Sequence, residues 1–152
     1  MPCPAAPLPR AVEVWFKTTA TPSNPYGSAL VCWGTESSNE MFCLKVYSAT
    51  QMKLTNWTNA YLYSVPSGAN TLDGQWHHVV ATYDGTNATI YYDGQSLGSQ
   101  AVSFNTVNSA IGLVLGSQTG NDDSPFNGSL DEVAVYSKVL SAAQVQAHYT
   151  AR

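Results

Sequence analysis

A chain of 152 residues has room for one core of ordinary domain size, which points to a single domain. Charged residues make up 11% against 44% hydrophobic, so solubility falls to Ser, Thr, Asn and Gln, a balance that favours a secreted or particle-surface all-β protein. The formal net charge is -4 and the few cations are scattered at Arg10, Lys17, Lys45, Lys53, Lys138 and Arg152, which argues against a nucleic-acid partner; no apolar run is long enough for membrane insertion.

The opening MPCPAAPLPR lacks the basic and apolar regions of an export signal, so residues 1-10 read as a flexible or degenerate lead-in and residues 11-152 as the domain proper. From Ala11 the apolar residues recur with a period of two, Val12, Val14 and Phe16 facing one way and Glu13, Trp15 and Lys17 the other, which predicts a strand. Similar runs follow at Ala29–Trp33, Met41–Tyr47, Gln51–Asn56, Tyr61–Val65, Trp76–Tyr83, Ala88–Tyr92, Ile111–Leu115 and Leu130–Tyr136. Turn formers such as TPSNPYGS, PSGAN and GNDDSPFNGS divide them. Many short strands separated in this way predict a sandwich or barrel.

Asp93-Gly94 is a two-residue hairpin signal, because a type I′ turn needs positive φ at both central residues. With a longer turn at Asp84-Gly85, it makes Trp76 to Ser99 a three-strand meander. One helix is expected, in LSAAQVQAHY, where Ser141 caps, Gln144 completes a capping box, and Leu140 and Val145 form a hydrophobic staple. Cys32 and Cys43 lie in the strand-like runs that flank TESSNE and either face each other as a cross-strand disulfide or pack as two buried thiols. Cys3 is left over in the lead-in.

The succession VEVWFKT, LDGQWHHVVATYDGTNATIYYDGQSLGS, IGLVLGS and FNGSLDEVAVYSKVLSAAQVQAHY resembles the laminin G-like jelly rolls of the concanavalin A-like lectin/glucanase superfamily, over Val12 to Tyr149. The resemblance implies an all-β, two-sheet antiparallel β-sandwich (jelly roll) with one short C-terminal helix. It also implies a first strand beside DEVAVY, where this chain has only its Pro-rich lead-in. Either the lead-in supplies a degenerate strand or that edge stays open for another segment or chain.

Gln75-Trp76-His77-His78 has the look of a metal or catalytic site, but strand alternation sends the two histidines to opposite faces. They are expected to be structural, with Trp15 and Trp76 in the core. Family hydrolases carry a Glu-x-Asp-x-x-Glu triplet on one strand, and none occurs here, so the chain is expected not to be an enzyme. Calcium is the candidate cofactor. GSQTGNDDSPFNG offers the hard oxygen donors Gln118, Asn121, Asp122 and Asp123, which are also ordinary turn formers, and resembles the acidic calcium loop of pentraxins. The resemblance to glucanases and sugar-binding modules makes Asp131 a second metal candidate, or else an acceptor of backbone N–H groups. For ligand binding, Trp57, Tyr61, Tyr63 and Trp33, with Tyr26 on an early loop, offer flat faces to sugar rings, though some must fill the core. Asn-x-Ser/Thr sequons stand at Asn56, Asn87 and Asn127, and they matter only in a eukaryotic secretory setting.

The expected function is therefore a non-catalytic recognition or adhesion module for a glycan or a surface protein, placed outside the cell, on the cell surface or on a virion. The alternative is an assembly domain of a virion, fibre or cell-surface protein, with homo-oligomer or parent-protein contacts through the N-terminal edge.

Overall fold

The computed structural model describes residues 3–5, 7–108, 112–118 and 124–152. In chain order the strands are β1 (Arg10–Lys17), β2 (Ser28–Gly34), β3 (Met41–Ser48), β4 (Gln51–Thr55), β5 (Ala60–Ser64), β6 (His77–Tyr83), β7 (Asn87–Tyr92), β8 (Gln95–Ala101), β9 (Val114–Leu115) and β10 (Ser129–Tyr136), followed by helix α1 (Ala142–Thr150). They form two five-stranded antiparallel sheets, ordered β10-β1-β6-β7-β8 and β5-β4-β3-β2-β9. The expected run Ile111–Leu115 survives as the two residues of β9, and Ile111 itself lies outside the described residues.

The sandwich closes because alternate residues of both sheets point inward. Val12, Val14 and Phe16 of β1 meet Val79 and Ala81 of β6, Ile90 of β7, and Phe42, Leu44, Met52 and Leu54 of the opposing sheet, all buried. The hairpin after β7 turns through Asp93 at φ 47° and Gly94 at φ 79°, as a type I′ turn requires. Glycine serves a second purpose there: a Cβ on Gly94 would stand 2.5 Å from Gln146 Oε1 of the helix.

Helix α1 begins where the sequence indicates, with Ser141 Oγ accepting from the Gln144 N–H and Gln144 Oε1 accepting from the Ser141 N–H. Leu140 and Val145 are buried with Ala11 and Val80, which docks the helix on the outer face of the β1–β6 sheet. Trp15 is buried on that face as well, stacked at 5.8 Å on Tyr149, so it belongs under the helix rather than between the sheets. Trp76 departs further from expectation. It is half-buried on the outside, with the Arg152 guanidinium 4.8 Å and the Lys17 ammonium 5.2 Å from its ring, because the strand that places His77 inward turns Trp76 outward.

The described part of the lead-in forms no strand beside β10. Cys3 packs against the main core, and the Pro4 carbonyl accepts from Arg10 Nη1 and Trp33 Nε1, each at 3.0 Å. Among the described residues the outer edge of β10 therefore has no strand partner. Cys32 and Cys43, direct partners in the β2–β3 ladder, form a disulfide.

Candidate functional site

The two histidines point to opposite faces of β6, each beside a carboxylate. His77 Nδ1 bonds Asp93 Oδ2 at 2.8 Å and its Nε2 bonds Asp73 Oδ1 at 3.0 Å, while its ring stacks 5.0 Å from Tyr92. Burial disfavours its charged form, but the two aspartates outweigh that and raise its pKa. His78 points the other way, 5.0 Å from Trp15 and 3.8 Å from Glu13 Oε2. Glu13 collects three neighbours beneath the helix: Tyr136 donates to Oε1 at 2.8 Å, His148 meets Oε2 at 2.8 Å, and His78 lies behind. Burial alone would raise the Glu13 pKa, yet these partners hold it down at about 2. Each carboxylate oxygen is engaged, which makes Glu13 a clamp for the helix.

The opposite outer face carries a depression. A cavity of about 260 Å³ opens over β3 and β4, floored by Met41, Lys45, Lys53 and Thr55 and rimmed by Tyr26, Trp57 and Gln118. Below it lies a small buried cluster of Ala29, Met41 and the Cys32–Cys43 pair. Trp57 is 44% exposed and Tyr26 61% exposed, so two aromatic faces stand at the mouth.

The turn from β4 to β5 explains how Trp57 comes to be there. Asn56 is fully buried, its Nδ2 donating to Asn39 Oδ1 at 2.6 Å and to the Ser103 carbonyl at 2.8 Å, and its Oδ1 accepting from the Asn59 N–H at 2.8 Å. Thr55 Oγ1 accepts from the Trp57 N–H at 3.2 Å. Held on both sides, Trp57 adopts φ 83°, a conformation that costs a bulky residue on the order of 1–3 kcal/mol. In the folded chain the Asn56 amide is buried and both its donors are engaged, which leaves no room for a glycan there.

Of the expected ligand-binding aromatics, Trp57 and Tyr26 are at this site. Trp33 is buried and stacked 4.4 Å from Phe42; Tyr63 is buried, with its hydroxyl donating to the Ala88 carbonyl at 2.9 Å. Tyr61 packs partly buried against the same core. Tyr61 and Tyr63 do share a face, as alternation requires, but it is the inner one: they pair with Leu54 and Met52, which point between the sheets. The expected shallow groove is thus core.

The cations prove less scattered than the sequence suggests. Lys45 and Lys53, on adjacent strands, face each other across the ladder at the floor of the cavity. Lys45 Nζ donates to Gln118 Oε1 and, at 2.9 Å, to Ser124 Oγ, while Gln118 Nε2 donates to Glu36 Oε1 at 3.2 Å. Two strand runs joined by the short Ala49-Thr50 turn carried the signal, since Lys45 alternates with Leu44 and Val46, and Lys53 with Met52 and Leu54.

The metal candidates separate as well. Asn121, Asp122 and Asp123 lie outside the described residues. Gln118 Oε1 accepts from an ammonium group, a position that repels a cation. Asp131 Oδ2 pairs with Arg152 Nη2 at 2.9 Å and its Oδ1 accepts from the Glu132 N–H at 2.9 Å. Among the described residues no group of three or more His, Cys, Asp or Glu side chains is placed to hold a metal ion.

A family profile for laminin G-like domains of the concanavalin A-like lectin/glucanases superfamily matches residues 9–146. The chain belongs to this family. No curated protein sequence matches this laminin G-like chain. Among solved structures it resembles the CBM40 module of the Ruminococcus gnavus IT-sialidase bound to α2,3-sialyllactose, at 18% identity and TM-score 0.72, over 95% of this chain and 83% of that one. Domain 4 of AbnA, a GH43 extracellular arabinanase from Geobacillus stearothermophilus in complex with arabinotriose, matches at 20% identity and TM-score 0.68, over 95% and 67%. Domains LG4-5 of the mouse laminin α1 chain match at 14% identity and TM-score 0.64, over 88% and 38%. The laminin G-like chain likewise spans 42% of a longer Bacteroides ovatus neighbour. At such identities the likeness is one of fold.

Proposed function

We propose that this laminin G-like domain is a non-catalytic glycan-binding module whose site is the depression on the outer face of β3 and β4. The observation that carries the reading is Trp57, held exposed at positive φ by a fully buried asparagine, opposite Tyr26 at the mouth of a polar-floored cavity. Flat aromatic faces suit the C–H faces of sugar rings, and a rigid platform saves the ordering cost of binding. Likeness in fold to modules solved with sialyllactose and arabinotriose supports it. Among the described residues none that lines the cavity is a carboxylate, which supports a binding rather than a hydrolytic role. The disulfide suits an oxidising, extracellular setting, and among the described residues no helix is long and apolar enough to cross a membrane.

A glycan array followed by titration tests the reading. Binding that falls at least about tenfold in both Trp57→Ala and Tyr26→Ala supports it; retention of no glycan, or binding indifferent to both changes, overturns it. With Gln118 Oε1 bonded to Lys45 and Asp131 paired with Arg152, affinity is expected to be unchanged by a chelator; loss on chelation would make calcium part of the site.

The edge of β10, without a strand partner among the described residues, favours a second reading, assembly through strand addition by another chain. Light scattering over a dilution series decides it, a monomer at all concentrations counting against self-assembly.

A further inference from the structure

The floor of the cavity holds an electrostatic arrangement that the fold alone does not require. The β3–β4 register sets Lys45 directly opposite Lys53, and like charges in that position repel. Both side chains are withdrawn from solvent, at 1% and 7% exposure. Lys45 is provided for by Gln118 and Ser124. Lys53 is not provided for to the same degree. Its Nζ donates one hydrogen bond, to the Tyr26 carbonyl at 3.2 Å, and otherwise lies 5.4 Å from the Tyr47 ring. An ammonium has three donors, so among the described residues two are left without an acceptor on a side chain that lines the cavity. Among the described residues no carboxylate pairs with it; Glu36, the acid that reaches this face, accepts from Gln118. Burial accordingly pushes the Lys53 pKa down, as expected of a charge removed from water without a counter-charge.

Resting on the glycan-binding reading, we propose that this cavity selects sugars that carry an anionic oxygen group, a carboxylate or a sulfate ester, received by Lys53 while the ring lies against Trp57. The anion supplies acceptors for the two open N–H groups in charge-assisted hydrogen bonds, and it screens the two lysines from each other. Repulsion across the ladder is thereby eased in the complex.

Matched probes test this by calorimetric titration: oligogalacturonate against its methyl ester, and a sulfated galactan oligosaccharide against its desulfated form. The charged member of at least one pair is expected to bind about tenfold or more tightly than its neutral partner, with a steep loss of that preference in added salt. Whichever pair shows the preference identifies carboxylate or sulfate as the group recognised. In Lys53→Met the ratio of charged to neutral affinity collapses toward about one, and Lys53→Arg restores it. The wild-type comparison needs no variant, so a poorly folding Lys53→Met leaves the test intact. Equal binding of charged and neutral partners, weakened alike by Trp57→Ala, overturns the charge selection and leaves the glycan-binding reading standing. Failure of every probe, and of every glycan on a broad array, overturns both.

Discussion

Trp57 and Glu13 show two opposite uses of a single residue. Trp57 stores strain to present a surface, so relieving the strain and removing the surface can be done together. Trp57→Gly is expected to melt at the same temperature as the wild type or a little higher, because glycine takes φ 83° freely, while glycan affinity drops by about tenfold or more. A fall of several degrees in thermal denaturation would show that the indole is a packing residue instead. Glu13 stores no strain and acts through charge. Its folded pKa of about 2 lies below the ordinary value of 4.5, so its contribution is present above the ordinary value and is lost as pH falls toward the folded one. Allowing for solvent at its rim, that contribution is on the order of 2 kcal/mol. Urea midpoints followed from about pH 7 to about pH 2.5 should fall in the wild type across this window, and Glu13→Gln should show a lower neutral midpoint with a flatter acid limb. At this scale the sequence is a poor guide. Alternation separates His77 from His78 and Glu13 from Val12, yet it does not say that Tyr136 and His148, more than a hundred residues away, converge on Glu13.

Elements were more legible than sites, for a physical reason. The capping box, the Asp93-Gly94 turn and the period-two runs are fixed by neighbours in sequence, and all three appear in the structure. Ser141→Ala is expected to cost about 1 kcal/mol in chemical denaturation by releasing the cap; an unchanged midpoint would mean that Leu140 and Val145 alone hold the helix. What alternation leaves open is which side of a strand meets the other sheet. Tyr61 and Tyr63 were correctly placed on one face, but that face turned out to be the core, because β5 lies at the sheet edge and still tucks its inner side over Met52 and Leu54. Trp76 errs in the opposite sense: hydrophobic bulk suggested burial, but its place just before β6 puts it among Lys17 and Arg152.

For the molecule as a whole, the two sheets divide the work. One carries the helix and the Glu13 clamp on its outer face, and the other carries the cavity, with the Cys32–Cys43 bridge beneath. Reduction of that bridge, which spans 11 residues, should lower stability by roughly 2–3 kcal/mol and loosen the floor under Lys45. Glycan affinity that is unchanged under reductant would confine the bridge to stability. The division also has a consequence in time. The cavity's sheet is built largely from β2, β3, β4 and β5, successive hairpins whose closures are short, whereas the other sheet cannot be completed until β10 returns to pair Ala11 with Tyr136. Long closures are slow, so during synthesis and refolding the strands that floor the cavity can zip up first while the seam that seals the sandwich waits for the last part of the chain.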